Sequence, residues 1–188
     1  MINYSIPTKQ KFKRKELIKN SNRGMDLEQL INKSNSFYNE NNIAMVFKRP
    51  TPIRVVKYDK KTKTITKAFF DFQSTIDYNM IYKGKYIDFE AKETKNKTSF
   101  SLRNIHPHQI QHLRNIYNHK GIAFLIVRFT SLNETYLLMA NDLIEFIESN
   151  KRESIPISFF KEKAHQIKEG YIPRVDYLKV IDQIIGGI

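Results

Sequence analysis

The chain has 188 residues, room for one ordinary domain, and carries 32 Lys and Arg against 19 Asp and Glu, a net charge of +13. It has no cysteine, which excludes a disulfide scaffold, thiolate metal sites and a cysteine nucleophile. No apolar run approaches the ~20 residues that span a bilayer, and Lys11 to Lys15 fall where a signal peptide's apolar core would begin.

The excess charge is localised. Residues 1–24 carry a net +6 and residues 48–67 a net +7, while the other 144 residues hold 17 bases and 17 acids. A proteome-wide lysine bias would spread the charge evenly. Two basic segments on a neutral body point instead to a polyanion, most simply nucleic acid, held by salt-sensitive phosphate contacts. With 40% hydrophobic and 12% aromatic residues, most of the chain is expected to fold as a soluble, cytoplasmic, nucleoid-associated protein.

Residues 1–22 read as a flexible basic arm and residues 23–188 as one domain. From Asp26, a plausible N-cap, Leu27, Leu30, Ile31 and Phe37 follow a helical face. Ile43–Lys48 reads as a short strand ended by Pro50 and Pro52. Residues 53–67 alternate β-branched and basic residues around Lys60-Lys61, the pattern of a protruding two-stranded ribbon. Thr75–Tyr82 and Lys85–Lys92 then flank Lys83-Gly84 as a hairpin. A Lys- and Asn-rich loop at 93–104 leads to Pro107 in a first helical turn, with Ile110, Leu113 and Tyr117 spaced for burial. Strands are expected at Ile122–Phe129 and Thr135–Met139, and helices near 141–150, 158–168 and 176–185. The order predicts an α/β fold with a mixed β-sheet flanked by helices.

The hairpin carries the chemistry. With a two-residue turn, antiparallel partners have numbers summing to 167, which places Asp77 opposite Glu90 and Thr75 opposite Lys92. Alternation gathers Thr75, Asp77, Asn79, Asp88, Glu90 and Lys92 on one face. Ile76, Tyr78, Met80, Ile87, Phe89 and Ala91 take the other, as core. Facing carboxylates ~5 Å apart repel by about 3 kcal/mol at an effective dielectric near 20. A shared proton, a basic neighbour or a divalent cation must offset this. Hard oxygen donors of this kind suit Mg²⁺ or Mn²⁺. A solvated, charged hairpin face is the plainer alternative.

Asp77, twelve residues, then Glu90-Ala91-Lys92 resembles the D-x(n)-E-x-K signature of the PD-(D/E)xK nuclease superfamily. Wider stretches resemble the RecU Holliday junction resolvase family: Arg23-Gly24-Met25, Leu27-Glu28, Lys48-Arg49-Pro50-Thr51-Pro52, Asp77-Tyr78-Asn79 and Tyr86 through Phe100. His106-x-His108-Gln109 and Pro173-Arg174-x-Asp176-Tyr177-Leu178 continue the likeness, which runs in order from about residue 22 to 182. The resemblance implies a restriction-endonuclease-like core with a protruding basic stalk inserted at about 49–68. It implies a divalent metal, Mg²⁺ or Mn²⁺, held by Thr75, Asp77, Glu90 and Gln109, with Lys92 stabilising the transition state. Glu28 matches a first-helix acid that superfamily members often carry. The family's activity is a metal-dependent endonuclease that resolves four-way DNA junctions by paired symmetric nicks in recombination and repair.

The same resemblance assigns DNA contacts to Arg23, to Lys57, Lys60, Lys61, Lys63 and Lys67 of the stalk, and to Lys11, Lys13, Arg14 and Lys15 of the arm. Arg23 has a second reading as a helix cap. Partners implied are branched DNA, a second copy in a homodimer, and recombination proteins, with no membrane. Two departures stand out: a shorter, glycine-poor arm, and Met80 where the family has Gly. His108 and His112, one helical turn apart, read as surface or phosphate-contacting groups, and Asp88 as a residue that tunes the site or pairs with Lys85 rather than binding metal. Phe69, Phe70 and Phe72 read as a dimer seam or stalk base, with base stacking as the alternative. The rival functions are a duplex-cutting nuclease of the same superfamily and a non-catalytic architectural protein that binds branched DNA.

Overall fold

The computed structural model describes residues 26–70 and 76–186. Helix α1 (Leu27–Glu40) begins at Asp26, whose carboxylate accepts from the Gln29 N–H at 2.8 Å. Strand β1 (Met45–Lys48) follows, then β2 (Ile53–Asp59) and β3 (Thr64–Phe70). Strands β4 (Tyr78–Tyr82) and β5 (Lys85–Thr94) form the hairpin. After β6 (Ser99–Ser101) and a 3₁₀ turn, α2 (Pro107–Asn118) crosses to β7 (Ile122–Phe129) and β8 (Glu134–Met139). Helix α3 (Ala140–Ser149), β9 (Ser154–Pro156), α4 (Ile157–Lys163), β10 (His165–Ile167) and α5 (Tyr177–Gly186) complete the chain.

Six strands make one mixed sheet in the order β1-β4-β5-β7-β8-β10, in which β5 and β7 alone run parallel, joined by the α2 crossover. The hairpin register is the expected one: Tyr78 faces Phe89, Asn79 faces Asp88 and Met80 faces Ile87. Lys83 and Gly84 both take positive φ (48° and 72°), the backbone of a tight hairpin turn whose twist matches its strands. Pro107 opens α2 as expected, and its cap ties the His106 N–H to Gln109.

Each face of the sheet has its own core. On one side, Leu27, Leu30, Ile31 and Tyr38 of α1 and Leu178, Val180 and Ile181 of α5 cover Met80, Ile87, Phe89 and Phe124. Phe89 lies at its centre, stacked between Tyr78 (4.8 Å) and Phe124 (5.0 Å). On the other side, Leu113, Leu143 and Phe160 cover Leu125, Val127, Phe129 and Leu138. The expected face of Ile76 is wrong. It joins this second core, because the chain bends at Asp77 before β4 begins and the alternation does not extend back through it.

Three other expectations change. Tyr117 is half exposed, since the end of α2 overhangs the sheet. The helix expected at 158–168 stops at Lys163 so that His165–Ile167 can add an edge strand to β8. The loop at 93–104 contains β6, which pairs with β9. The ribbon β2–β3 forms a separate two-stranded sheet and extends to Phe70. From Ile53 to Phe70 every residue but Asp59 is exposed.

Polar groups join α1 to the segment leading into α5. The Val175 N–H donates to the buried Ser34 Oγ at 3.0 Å, Tyr38 OH donates to Asp176 at 2.9 Å, and Tyr177 OH donates to Asn35 at 2.6 Å. Removing the Tyr177 hydroxyl leaves the buried Asn35 oxygen without that donor. Tyr177→Phe should therefore cost about 1–3 kcal/mol in urea unfolding, against less than about 0.5 kcal/mol for Tyr117→Phe on the surface.

Candidate active site

Strand β5 sits in the middle of the sheet, and its period of two sends Ile87 and Phe89 into the α1–α5 core and Asp88 and Glu90 beneath α2. Both acids are fully buried rather than solvated. Sequence alternation identified their shared face. It did not show that α2 roofs it.

Glu90 is the meeting point. Its Oε1 accepts from Lys92 Nζ and from Gln109 Nε2, each at 2.7 Å, and its Oε2 accepts from the Asp77 N–H at 2.9 Å. The Ala91 N–H in turn approaches Asp77 Oδ2 at 3.3 Å. Gln109 is held at the third position of α2 by its own oxygen, which accepts from the His106 N–H at 3.0 Å. Asp77, Glu90, Lys92 and Gln109 are thus gathered at one place. Burial pushes the Glu90 carboxyl up to about 7, and the charge of Asp77 adds to the rise while Lys92 opposes it.

Asp88 lies beside this group; of its two expected uses, tuning the site or pairing with Lys85, the Lys85 pair does not form, and Arg49 and His112 are its partners. The Arg49 guanidinium spans both carboxylate oxygens at 3.1 and 3.3 Å, and His112 Nε2 lies 2.5 Å from Oδ2. A buried carboxylate outbids the solvent for both side chains, so His112 is not a free surface group. Arg49 also donates to Tyr86 OH at 2.9 Å. Arg49 was missed as a site residue, although Lys48-Arg49-Pro50-Thr51-Pro52 was singled out as a motif.

The remaining candidates are spread out. Glu28 is exposed on α1 and pairs with Lys48. Lys57, Lys60, Lys61, Lys63 and Lys67 are all exposed on the ribbon. Lys57 and Lys67 are partners across the ribbon at an irregularity of its register, a like-charge pair in which Lys67 Nζ lies over the Phe69 ring at 5.4 Å. Thr75, Arg23, Lys11, Lys13, Arg14, Lys15 and Phe72 lie outside the described residues. Phe69 and Phe70 are exposed.

The donor set suits a hard divalent cation. Asp77 and Glu90 have one ammonium between them, and their oxygens are the kind that Mg²⁺ and Mn²⁺ prefer. Among the described residues no three His, Asp or Glu side chains are grouped to hold a metal, so neutral oxygens and water would complete the shell.

Asp77 at the bend before β4 meets Glu90 and Lys92 of the central strand β5 in a mixed α/β sheet, two acids and a lysine at one place. The chain matches the family model described as Recombination protein U over residues 22–183 and belongs to that RecU family. It is 50% identical over 169 residues to the Holliday junction resolvase RecU of Geobacillus sp. (strain WCH70), covering 87% of this chain and 84% of that one. The Holliday junction resolvase RecU of Lactiplantibacillus plantarum is 46% identical over 185 residues, 95% of this chain and 89% of that one. A solved structure, the Holliday junction resolvase Hjc of Archaeoglobus fulgidus, is matched at a TM-score of 0.40 and 10% identity, covering 70% of this chain and 92% of that one. That likeness is too remote to carry an argument. No helix among the described residues is long and apolar enough to cross a membrane.

The raised Glu90 carboxyl has a thermodynamic signature. Between its ordinary value of 4.5 and about 7, the folded state holds a proton that the unfolded chain has released, so stability falls as pH rises. Urea unfolding of metal-free protein should show Glu90→Gln gaining on the wild type through this window, by up to about 3 kcal/mol. Parallel pH profiles for the two proteins would show that Glu90 titrates normally.

Proposed function

We propose that the chain is a divalent-metal-dependent endodeoxyribonuclease that resolves four-way DNA junctions by paired nicks in recombination and repair. The observation that carries this reading is the convergence of Asp77, Lys92 and Gln109 on the buried Glu90 in a chain of the RecU family. The metal is Mg²⁺ or Mn²⁺, which Asp77 and Glu90 would hold with an oxygen of Thr75. Gln109, whose amide nitrogen faces Glu90 while its oxygen accepts from the His106 N–H, would join them once its amide turns over. When bound, it supplies Lewis acidity and neutralises charge at the scissile phosphate.

The protein's own groups set the stage for in-line attack of water on phosphorus. The Asp77 N–H and Gln109 hold the Glu90 carboxylate in one orientation. Lys92, partly exposed and two residues along the same strand face, places an ammonium where charge builds on the phosphoryl oxygens. Its contact with Glu90 fixes that ammonium in place. The ribbon reads the shape of the junction through Lys57, Lys60, Lys61, Lys63 and Lys67. The basic arm, with Lys11, Lys13, Arg14, Lys15 and Arg23, adds phosphate contacts.

Two-fold symmetric nicking calls for a symmetric homodimer. Supporting it, Met45, Phe47 and Ile81 at the β1 edge and Ile53, Val55, Phe69 and Phe70 on the ribbon leave apolar surface uncovered in the single chain. The chain acts in the cytoplasm, at the nucleoid, alongside other recombination proteins.

Two experiments test the reading. Asp77→Ala and Glu90→Ala should each abolish cleavage of a mobile four-way junction in Mg²⁺ while binding it at least as tightly as the wild type, since each removes negative charge from the DNA-facing site. Cutting at the wild-type rate by both variants would defeat the proposal. Because Ile53 pairs with Phe70 at the ribbon's base, residues 53–70 can be replaced by a short Gly/Ser link. That variant should lose about tenfold or more in junction affinity at physiological salt. Equal losses on linear duplex would count against shape reading by the ribbon.

A further inference from the structure

We propose that Arg49 is a positioning residue for phosphodiester cleavage, acting through Asp88 to lock the root of the ribbon against the strand that carries Glu90. This rests on the nuclease reading above and adds a residue to it.

Arg49 follows the last residue of β1 and precedes Pro50-Thr51-Pro52, the lead into the ribbon. Its backbone N–H donates to the Asp77 carbonyl at 2.8 Å, continuing the β1–β4 ladder by one step beyond Lys48 and Tyr78. The first root of the ribbon therefore meets a candidate metal ligand.

The side chain makes the second connection. From one guanidinium, Arg49 reaches both oxygens of Asp88 (3.1 and 3.3 Å), the Tyr86 hydroxyl (2.9 Å) and the Asn79 amide oxygen (3.4 Å). Asp88 is fully buried and also meets His112. His112 lies one turn beyond Gln109 on α2, and Gln109 holds Glu90. Asp88 and Glu90 on the strand thus pair with His112 and Gln109 on the helix, and Arg49 closes the open side of the Asp88 pair. Nη2 makes the Asp88 and Tyr86 contacts while Nε reaches Asn79 from the same rigid plane. An ammonium on a flexible stem keeps the charge but loses the fixed spacing between the Asp88–Tyr86 and Asn79 contacts. Loosening such outer contacts typically costs ten- to a hundredfold in metal-site function.

A direct phosphate contact by Arg49 is the competing account, and the salt dependence of binding separates the two. The full-length wild type cutting a mobile four-way junction in Mg²⁺ is the reference; if it does not cut, the nuclease reading fails, independently of Arg49. At saturating protein, Arg49→Lys should cut about tenfold or more slowly. Arg49→Met, which removes the charge, should keep its junction affinity without divalent cation within about twofold of wild type, with an unchanged slope of log Kd against log salt. Arg49→Met combined with Asp88→Asn should lose no more than the worse single variant, because both break one contact. If Arg49→Lys does not fold, Tyr86→Phe, which removes one of the guanidinium's acceptors, should show the same rate loss at unchanged affinity on a smaller scale. The proposal is overturned by a wild-type cutting rate at saturation. It is equally overturned by additive losses in the double variant, or by a loss confined to affinity with a salt slope reduced by about one.

Discussion

Burying Asp88 and Glu90 on the central strand is the constraint that the rest of the structure answers. A carboxylate taken out of water must be met by donors, and two of them on one strand face demand a set of partners in fixed places. Helix α2 supplies two, Gln109 and His112, at a helical spacing that matches the strand's period. The crossover that makes β5 and β7 parallel is what lays this helix over the acids. Strand β5 supplies Lys92, the bend before β4 supplies the Asp77 N–H, and the end of β1 supplies Arg49. The partners come from α2, from β5 itself, from the bend before β4 and from the end of β1, so the site exists only when the sheet is assembled.

The division of charge has a physical logic in three dimensions. The body is neutral in sum, but its interior acids would repel DNA if they stood alone. Lys57, Lys60, Lys61, Lys63 and Lys67 are set apart on an exposed ribbon with no core of its own. The opposed Lys57 and Lys67 show that this ribbon is not optimised as an isolated hairpin. Its sequence makes sense as a surface completed by a polyanion.

Much of this was legible in the residues. The hairpin register followed from Lys83-Gly84 and alternation, because a two-residue turn leaves no freedom in pairing. The Asp26 cap, Pro107 at a helix start and the apolar runs of β7 and β8 were local signals and read correctly. What stayed hidden was long-range. Nothing near Asp88 in sequence names Arg49 or His112 as its partners, and Ile76 changed sides because of a bend that no alternation rule contains. The early end of α4 depended on an edge vacancy beside β8 that only the folded sheet presents. Burial, rather than type or spacing, separates Asp88 and Glu90 from a solvated charged strand.

The polar pairs between α1 and the residues before α5 carry a consequence for how the chain is made. Ser34, Asn35 and Tyr38 face inward and find their partners in Val175, Tyr177 and Asp176, separated from them by nearly the whole domain. During synthesis, the inner face of the first helix waits, with buried polar groups unmet, until those late residues leave the ribosome. Contacts of such sequence separation are slow to form. A nascent chain therefore presents its basic ribbon well before the layer of helices behind β5 has closed.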